Sequence, residues 1–367
     1  MKIAIIGAAS GQLPLCLKAK EFGVETICFA WDKGAVCKNQ VDRFYPISIF
    51  EKDRIVKICR EEKVDGVISN ASDITAEIVS YIATQLHLNG IDYSAFQKIK
   101  DKATVRLLTN NVEGLSPVNV YQFPSIDKAP FPCIVKPHTG AAKKGVFFVS
   151  DEAELQNVIS CSVDGMTSQS FVEEYIQGTE ISVETLSFHG THYIIQTTDK
   201  ENTGAPHFVE LSHHQPSTIS FKVMKQVRKI VPRLLDAVGL LNGAAHIELK
   251  IDKADNVYLI EINPRGGGDE ISNKLVLLST GYDYIKGMID VALNHFAPPL
   301  LHHNQCAGIY YLCQQTQKRL PFFENSEKEP WLVEKHFDMS NGLYVSTGNY
   351  DRNGYLIYQW HTRVIIN

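Results

Sequence analysis

An α/β fold, α+β over the whole chain, is what the sequence predicts, and three observations predict it. Short apolar runs alternate with amphipathic stretches through the first part of the chain. From about residue 98 strand-like segments gather instead around glycine-bearing loops. Beyond residue 300 the chain is rich in Tyr, Asn and Gly and carries short alternating runs. A chain of 367 residues exceeds one ordinary core, so these changes are read as domain limits. They are an N-terminal α/β unit with a Rossmann-like parallel sheet over 1–97, a central unit over 98–300, and a small β-rich region over 301–367.

The elements follow in order. Lys2–Ile6 reads as a buried strand, Gly11–Phe22 as a helix stopped by Gly23, and Val24–Ala30 as a second strand. Lys52–Glu62 reads as a helix and Val64–Ser69 as a third strand, an alternation that builds a parallel sheet with helices on its faces. The turn Gly7-Ala8-Ala9-Ser10-Gly11 lacks the GxGxxG spacing, so a simple tight turn is favoured over a dinucleotide fingerprint. Phe131–Lys136 and Gly145–Val149 flank a loop containing Gly and Lys, and Asp151 with Glu154 makes a capping pair for a short helix. Ser168–Ile176 is a further strand and Ile181–Thr197 a hairpin turning at His189-Gly190. Val223–Val238 has helical periodicity, with Pro232 expected to kink or divide it.

Composition excludes several classes. A net charge of −5 argues against a generic nucleic-acid binder, yet leaves room for an anionic ligand held by a local group of Lys and Arg. The eight cysteines form no CxxC pair, so neither a zinc knuckle nor a disulfide framework is suggested. The N-terminus runs into a strand without a signal-peptide pattern, and no window reaches the ~18 apolar residues of a membrane span. A soluble cytoplasmic protein with neither nucleic-acid nor membrane partner is expected.

The most informative segment is a hairpin. Ala245–Ile251 alternates, with Ala245, Ile247, Leu249 and Ile251 on one face and His246, Glu248 and Lys250 on the other. If Lys253-Ala254-Asp255-Asn256 is the turn, Glu248 falls opposite Glu261, and Asn263 lies two residues further on the same face. Like charges facing each other on a sheet repel. Two readings fit: both glutamates are solvated residues on an open face, or a hard cation lies between them. An oxygen-only donor set suits Mg²⁺. The continuation Asn263-Pro264-Arg265-Gly266-Gly267-Gly268 favours the second, because three glycines build a core poorly but let a backbone approach a ligand.

Four features fit a nucleotide. Asp101-Lys102 opens the central unit and Lys136 closes a strand before Pro137; each lysine alone is as well explained as a surface charge. The loop His138-Thr139-Gly140-Ala141-Ala142-Lys143-Lys144-Gly145 can aim N–H and ammonium groups at phosphate, although GxxxxGK[ST] is absent. Glu173-Glu174-Tyr175-Ile176-Gln177-Gly178-Thr179-Glu180 offers a strand end for adenine and an acid for ribose, or is an acidic surface turn. Phe208–Pro216 reads as a loop crowded with polar residues, including Glu210, His213 and His214.

In order, these pieces resemble the ATP-grasp superfamily over nearly the whole chain: Lys102, Lys136, the Glu173–Glu180 hinge, Glu248, then Glu261-Ile262-Asn263-Pro264-Arg265. The resemblance implies a pre-ATP-grasp domain over 1–97 and an ATP-grasp domain with a mobile lid over about 132–174. Lys102, Lys136 and Lys144 would meet phosphate, and the Glu174 carbonyl and Ile176 N–H would read adenine beside Glu173. Glu180 would hold the ribose. Glu248, Glu261 and Asn263 would bind two Mg²⁺, with Mn²⁺ as a substitute, and Arg265 would stabilise the transferred phosphoryl group. ATP would be the co-substrate. The run Arg265-Gly266-Gly267-Gly268-Asp269-Glu270-Ile271 and the Glu210…His213 stretch resemble the L-amino-acid ligase branch, with Ser212 where that branch has Gly. That implies an ADP-forming carboxylate–amine ligase working through an acyl phosphate. Arg265, Gly267 and Gly268 would then lie at the amino-acid carboxylate, with Glu210 and His213 near the amine. The partners implied are a small carboxylate and a small amine, and a homodimer is a reasonable assembly. The runner-up is a purine-biosynthesis or carbamoyl-phosphate-type relative; a reading of another class is a non-catalytic ATP-binding regulatory protein.

Overall fold

A computed structural model describes residues 1–122, 128–140, 144–161, 170–349 and 351–366. In the first part, β1 (Lys2–Ile6), α1 (Leu13–Glu21), β2 (Glu25–Ala30), β3 (Arg43–Pro46), α2 (Lys52–Glu62), β4 (Gly66–Ile68) and α3 (Asp73–Leu86) follow one another. The four strands form a parallel sheet in the order β3-β2-β1-β4. Strand alternation sends Ile3 and Ile5 to Leu15, Cys16 and Ala19 of α1, and Ala4 and Ile6 to the side occupied by α2 and α3. Both faces are therefore buried, which is why the strands read as continuous apolar runs. The chain leaves β1 for β2 on one side and returns to β4 on the other. The carboxyl ends of β1 and β4 thus form a topological switch point, the usual mouth of such sheets.

α4 (Tyr93–Lys100) and α5 (Lys102–Thr109) lead out of this unit, each opened by an aspartate, Asp92 and Asp101, whose side chain accepts from helical N–H groups. A second sheet, entirely antiparallel, holds β5 (Val120–Tyr121), β6 (Cys133–Pro137), β7 (Phe147–Val149) and β8 (Ser170–Glu174) in the order β5-β8-β6-β7. Helix α6 (Glu152–Cys161) begins where the sequence expects it, with the Glu154 N–H donating to Asp151 and the Ser150 N–H to Glu154.

The third sheet carries the rest. Its strands are β9 (Thr179–Phe188), β10 (Thr191–Asn202), β11 (Glu210–Gln215), β12 (Gly243–Ile251), β13 (Val257–Asn263), β14 (Cys306–Leu312), β15 (Leu332–Phe337) and β16 (Gly354–Trp360). All eight are antiparallel, in the order β13-β12-β9-β10-β11-β14-β16-β15. The C-terminal strands thus continue the sheet that begins with β9. Helix α7 (Phe221–Val238) covers one face: Val227, Ile230, Val231, Leu234 and Leu235 pack on Ile181, Val183, Ala245, Ile247, Leu249 and Ile251. Pro232 divides nothing, since α7 continues through it as one 18-residue helix. The buried stripe on either side of the proline holds the helix together despite the missing N–H. Helices α8 (Val276–Thr280), α9 (Tyr284–Ala292) and α10 (Leu320–Asn325) complete the chain, and α9 packs against the α1 side of the first sheet. Among the described residues no helix is long and apolar enough to cross a membrane.

Candidate active site

The face of the third sheet opposite α7 is polar, and strand register explains its composition. Glu248 pairs with Glu261 on one side and Ser182 on the other; His246 pairs with Asn263 and Glu184; Lys250 and Lys200 both flank Glu180. Residues two apart share a face, so one row of registered pairs places the whole set together. The register expected for the Glu248–Glu261 hairpin is the one the structure has, with a bulge just after Glu248. Most of this face is closed to solvent: Glu184, Lys200, Glu210, His213, His246 and Asn263 are all buried, while Glu180, Glu248 and Glu261 are half-buried. Charges buried this deeply persist only when paired.

Lys200 does most of that pairing. Its ammonium lies 2.6 Å from Glu248, 3.2 Å from Glu180 and 3.4 Å from Glu210. Burial alone would lower its pKa, but Glu210, Glu248 and Glu180 outweigh burial and hold it well above the usual lysine value. Burial would likewise raise Glu248; Lys200 and His246 reverse that and keep it well below the usual carboxylate range. His246 contacts Glu184 through Nδ1 and Glu248 through Nε2 at 3.2 Å. Against burial, Glu184 and then Glu248 raise its pKa to about 9, so it is a cation at neutral pH.

A pocket opens beside this face, and the residues expected to meet ATP line it: Lys102, Lys136, Lys144, Glu173, Glu174, Ile176 and Glu180, together with Glu248 and Glu261. The segment Ala141-Ala142-Lys143 of the expected phosphate loop lies outside the described residues. Lys102 bonds the Gly140 carbonyl at 2.8 Å and Glu261 at 3.0 Å. Lys136 reaches Glu173, whose other oxygen takes the Arg106 Nε–H at 3.0 Å. Burial would raise the Glu173 carboxyl, but Arg106 and Lys136 hold it below its ordinary value. The Glu173 carboxylate is therefore committed to positioning Lys136. Lys250 donates to the Ile176 carbonyl at 3.1 Å and lies over the rings of Tyr175 and Phe208, which face this pocket. Gly178 is required at the hinge, because a Cβ there would come within 2.3 Å of the Ile251 carbonyl oxygen.

Beyond Lys200, away from the pocket, lies a second polar group. The stretch expected as a crowded loop, Phe208–Pro216, is instead largely the strand β11, every residue of which is buried. It sits between β10 and β14 in the sheet, and its polar side chains have partners there. Ser212 donates to Glu201 and Gln215 to Thr198. Among the described residues the ring of His213 has one polar neighbour of note, the Asp269 carboxylate, which stands 3.5 Å from Nε2. Asp269 is gripped from the C-terminal part: Arg352 donates to it at 2.8 Å while its guanidinium lies 3.4 Å over the Tyr311 ring. The Gly267 N–H, expected near an amino-acid carboxylate, donates instead to Glu184 at 3.1 Å. At Gly268, by contrast, a Cβ would meet open space.

Arg265 closes the arrangement. Its Nε donates to Asp73 of the N-terminal unit at 2.6 Å, Nη1 to the Gly266 carbonyl at 3.0 Å, and Nη2 to Asn263 at 3.4 Å. Among the described residues no three His, Cys, Asp or Glu side chains form a metal-holding group. The candidate donors Glu248, Glu261 and Asn263 are two carboxylates and a carboxamide, and each carboxylate draws a lysine ammonium, Lys200 to Glu248 and Lys102 to Glu261. Oxygen donors around a point that already attracts a cation fit a hard divalent ion.

Lys200, Arg106, Asp73 and Arg352 were not singled out from sequence. Two had local signals. Asp199-Lys200-Glu201 continues the hairpin by the alternation that ended the reading at Thr197, and Arg106 stands four residues from Lys102, on the same helix face. Asp73 and Arg352 had none, since their partners lie 192 and 83 residues away.

Residues 129–274 match the ATP-grasp domain family. The chain carries an ATP-grasp domain. Among curated proteins, it is 21% identical over 282 residues to a formate-dependent phosphoribosylglycinamide formyltransferase of Ignicoccus hospitalis, covering 72% of this chain and 69% of the relative. It is 28% identical over 209 residues to carnosine synthase 1 of Gallus gallus, covering 52% of this chain but only 22% of that longer protein. Among solved structures, an L-amino acid ligase from Bacillus licheniformis superposes with a TM-score of 0.80 at 22% identity, covering 98% of this chain and 93% of the other. At such identities the structural likeness is one of fold. The ATP-grasp match takes in β6 through β13, hence Lys136, the hinge and the Glu248–Glu261 hairpin. Asp73 and Arg352 reach that domain from outside it.

Proposed function

We propose that this chain is an ATP- and Mg²⁺-dependent, ADP-forming carboxylate–amine ligase that joins an amino acid to an amine or to a second amino acid. The observation that carries the reading is the largely enclosed polar face where Glu248, Glu261 and Asn263, with Arg265 beside them, meet a lysine-lined pocket. In this reading Lys102, Lys136 and Lys144 hold the phosphates, Glu180 the ribose, and the Glu174–Ile176 strand end the adenine edge. Glu248, Glu261 and Asn263 would hold the divalent cation, which supplies charge neutralisation between the phosphates when bound.

A substrate carboxylate oxygen then attacks the γ-phosphorus as the bond to ADP breaks. The amine nitrogen attacks the acyl carbon, phosphate leaves, and the amine gives up a proton. Arg265 stabilises the charge that gathers on the transferred phosphoryl group. No covalent nucleophile is needed from the protein; positioning and charge account for the chemistry. His213 and Glu210, buried beside Asp269, lie where a substrate ammonium group would be received.

The likeness in fold to an L-amino acid ligase and the partial match to carnosine synthase support amino acids as substrates. The match to a phosphoribosylglycinamide enzyme favours a second reading with a ribose phosphate. Against that reading, the switch-point loops Gly7–Gly11 and Asn70–Asp73 contain neither Lys nor Arg to meet a phosphate.

The test is a screen of single and paired amino acids, with phosphate release and product mass as readouts. Phosphate release is expected only with ATP, Mg²⁺ and a suitable pair, and Glu261→Gln is expected to lower it at least a hundredfold. Turnover with a phosphoribosylamine or bicarbonate, and none with amino acids, would overturn the amino-acid reading. Undiminished turnover in Glu261→Gln would remove the metal assignment.

A further inference from the structure

The N-terminal unit lies outside the matched ATP-grasp domain, yet one of its loops grips the residue proposed to meet the transferred phosphoryl group. That loop, Asn70–Asp73, leaves the carboxyl end of β4 at the switch point. It is held at both ends. The Gln12 side chain clamps the Asn70 backbone, donating to its carbonyl at 2.7 Å and accepting its N–H at 2.8 Å. The Asn70 side chain then crosses to Asn273 at 2.7 Å, and Asp73 to Arg265 at 2.6 Å. Between them Ala71 takes φ +47°, a left-handed conformation that a residue with a Cβ keeps only when its surroundings impose it. Two independent side-chain bridges therefore tie this loop to the segment 265–273.

The contact with Arg265 is specific in form. Nε and Nη2, one edge of the guanidinium, both face the two oxygens of Asp73, at 2.6 and 3.4 Å. Nη1 is directed to the Gly266 carbonyl and Nη2 also approaches Asn263. A guanidinium carried on a flexible stem is thereby fixed in plane and direction, which a single point contact would not achieve. Asp73 is also the first residue of α3, where the helix end favours a carboxylate.

We propose that Asp73 is a positioning residue, fixing the plane and direction of the Arg265 guanidinium for phosphoryl transfer. The N-terminal unit thereby becomes part of the catalytic apparatus. The kinetic part of this inference rests on the ligase reading above; the structural part does not.

The test compares the parent chain with Asp73→Ala, Asp73→Asn and Asp73→Glu. Calorimetric affinity for Mg²⁺–ATP is expected to stay within twofold throughout, because Asp73 does not line the nucleotide pocket. With the amino-acid pair that supports turnover, kcat is expected to fall about 10–100-fold in Asp73→Ala, since a misplacement of about 1 Å costs that much. KM for ATP should hold, and Asp73→Glu should recover most of kcat. A kcat within twofold of the parent in Asp73→Ala, or equal loss in Asp73→Ala and Asp73→Glu, would overturn the proposal. A second readout is independent of turnover: the ¹H–¹⁵N signal of Arg265 Nε. It should be protected from solvent exchange in the parent and in Asp73→Glu, and lose that protection in Asp73→Ala. If the parent makes no product from any pair, the ligase reading fails, while this signal still decides the positioning of Arg265. Equal protection in Asp73→Ala would reject it.

Discussion

Lys200 carries one positive charge and touches three carboxylates, Glu210 buried and Glu180 and Glu248 half-buried, so its neighbourhood keeps a negative excess even when every contact is made. His246 offsets Glu184 on one side and Lys102 offsets Glu261 on the other. The remaining excess is what a divalent cation would neutralise, which links the geometry of this one side chain to the proposed chemistry. Removing the ammonium should therefore be costly in a particular way. Lys200→Met is expected to lose about 3–5 kcal/mol of stability, the usual consequence of stranding buried charge. Adding Mg²⁺ should recover part of that loss in the variant and change the parent little. Urea unfolding with and without Mg²⁺ measures both, and a loss untouched by Mg²⁺ would argue against a cation at Glu248.

At the level of elements, the first sheet is joined at its edge by one carboxylate. Glu62, closing α2, takes Lys2 of β1 at 3.0 Å and both Arg43 and Tyr45 of β3. The hydrogen bonds from Tyr45 and Lys2 lead in lowering its pKa from 4.5 to about 2. A carboxylate depressed in the folded state contributes stability that is complete above its unfolded value and is lost as pH falls through its folded one. The contribution of Glu62 should thus be present above pH 4.5 and disappear between 4.5 and 2. Chemical denaturation across that window should show Glu62→Gln with a flatter pH dependence than the parent; identical slopes would reject the role. Elements of this kind were legible before the structure. Lys2–Ile6 and Lys52–Glu62 have the expected bounds, and strand alternation with a four-residue turn gave the Glu248–Glu261 register. Alternation failed at β11, because Glu210, Ser212, His213 and His214 look like a solvated loop until strands on both sides bury them. Pairings across long stretches of chain, such as Asp73 with Arg265, have no local pattern to betray them.

For the whole molecule, the candidate site draws on every sheet's surroundings: Asp73 from the helix that follows the first sheet's β4, Lys136 and Glu173 from the second sheet, and the polar face of the third. The C-terminal part belongs with these, since Arg352 and Asn349 both reach Asp269 and the Glu210 backbone. Under the ligase reading, Arg352→Ala should raise KM for the amine substrate about tenfold and leave KM for ATP unchanged. Initial-rate kinetics varying each substrate in turn checks this, and a matching rise for ATP would mean a general loss of structure.

One consequence of the strand order concerns synthesis. β11 is followed in the sheet by β14, whose residues emerge from the ribosome about ninety positions later. Until Cys306–Leu312 is made, β11 is an edge strand with a bare row of N–H and C=O groups, the form most open to wrong pairing. The nascent chain therefore holds its most polar strand at its most exposed margin during that interval. A polar edge offers a neighbouring chain less apolar surface than an aliphatic one would, so the residues proposed to receive substrate would also guard the unfinished fold.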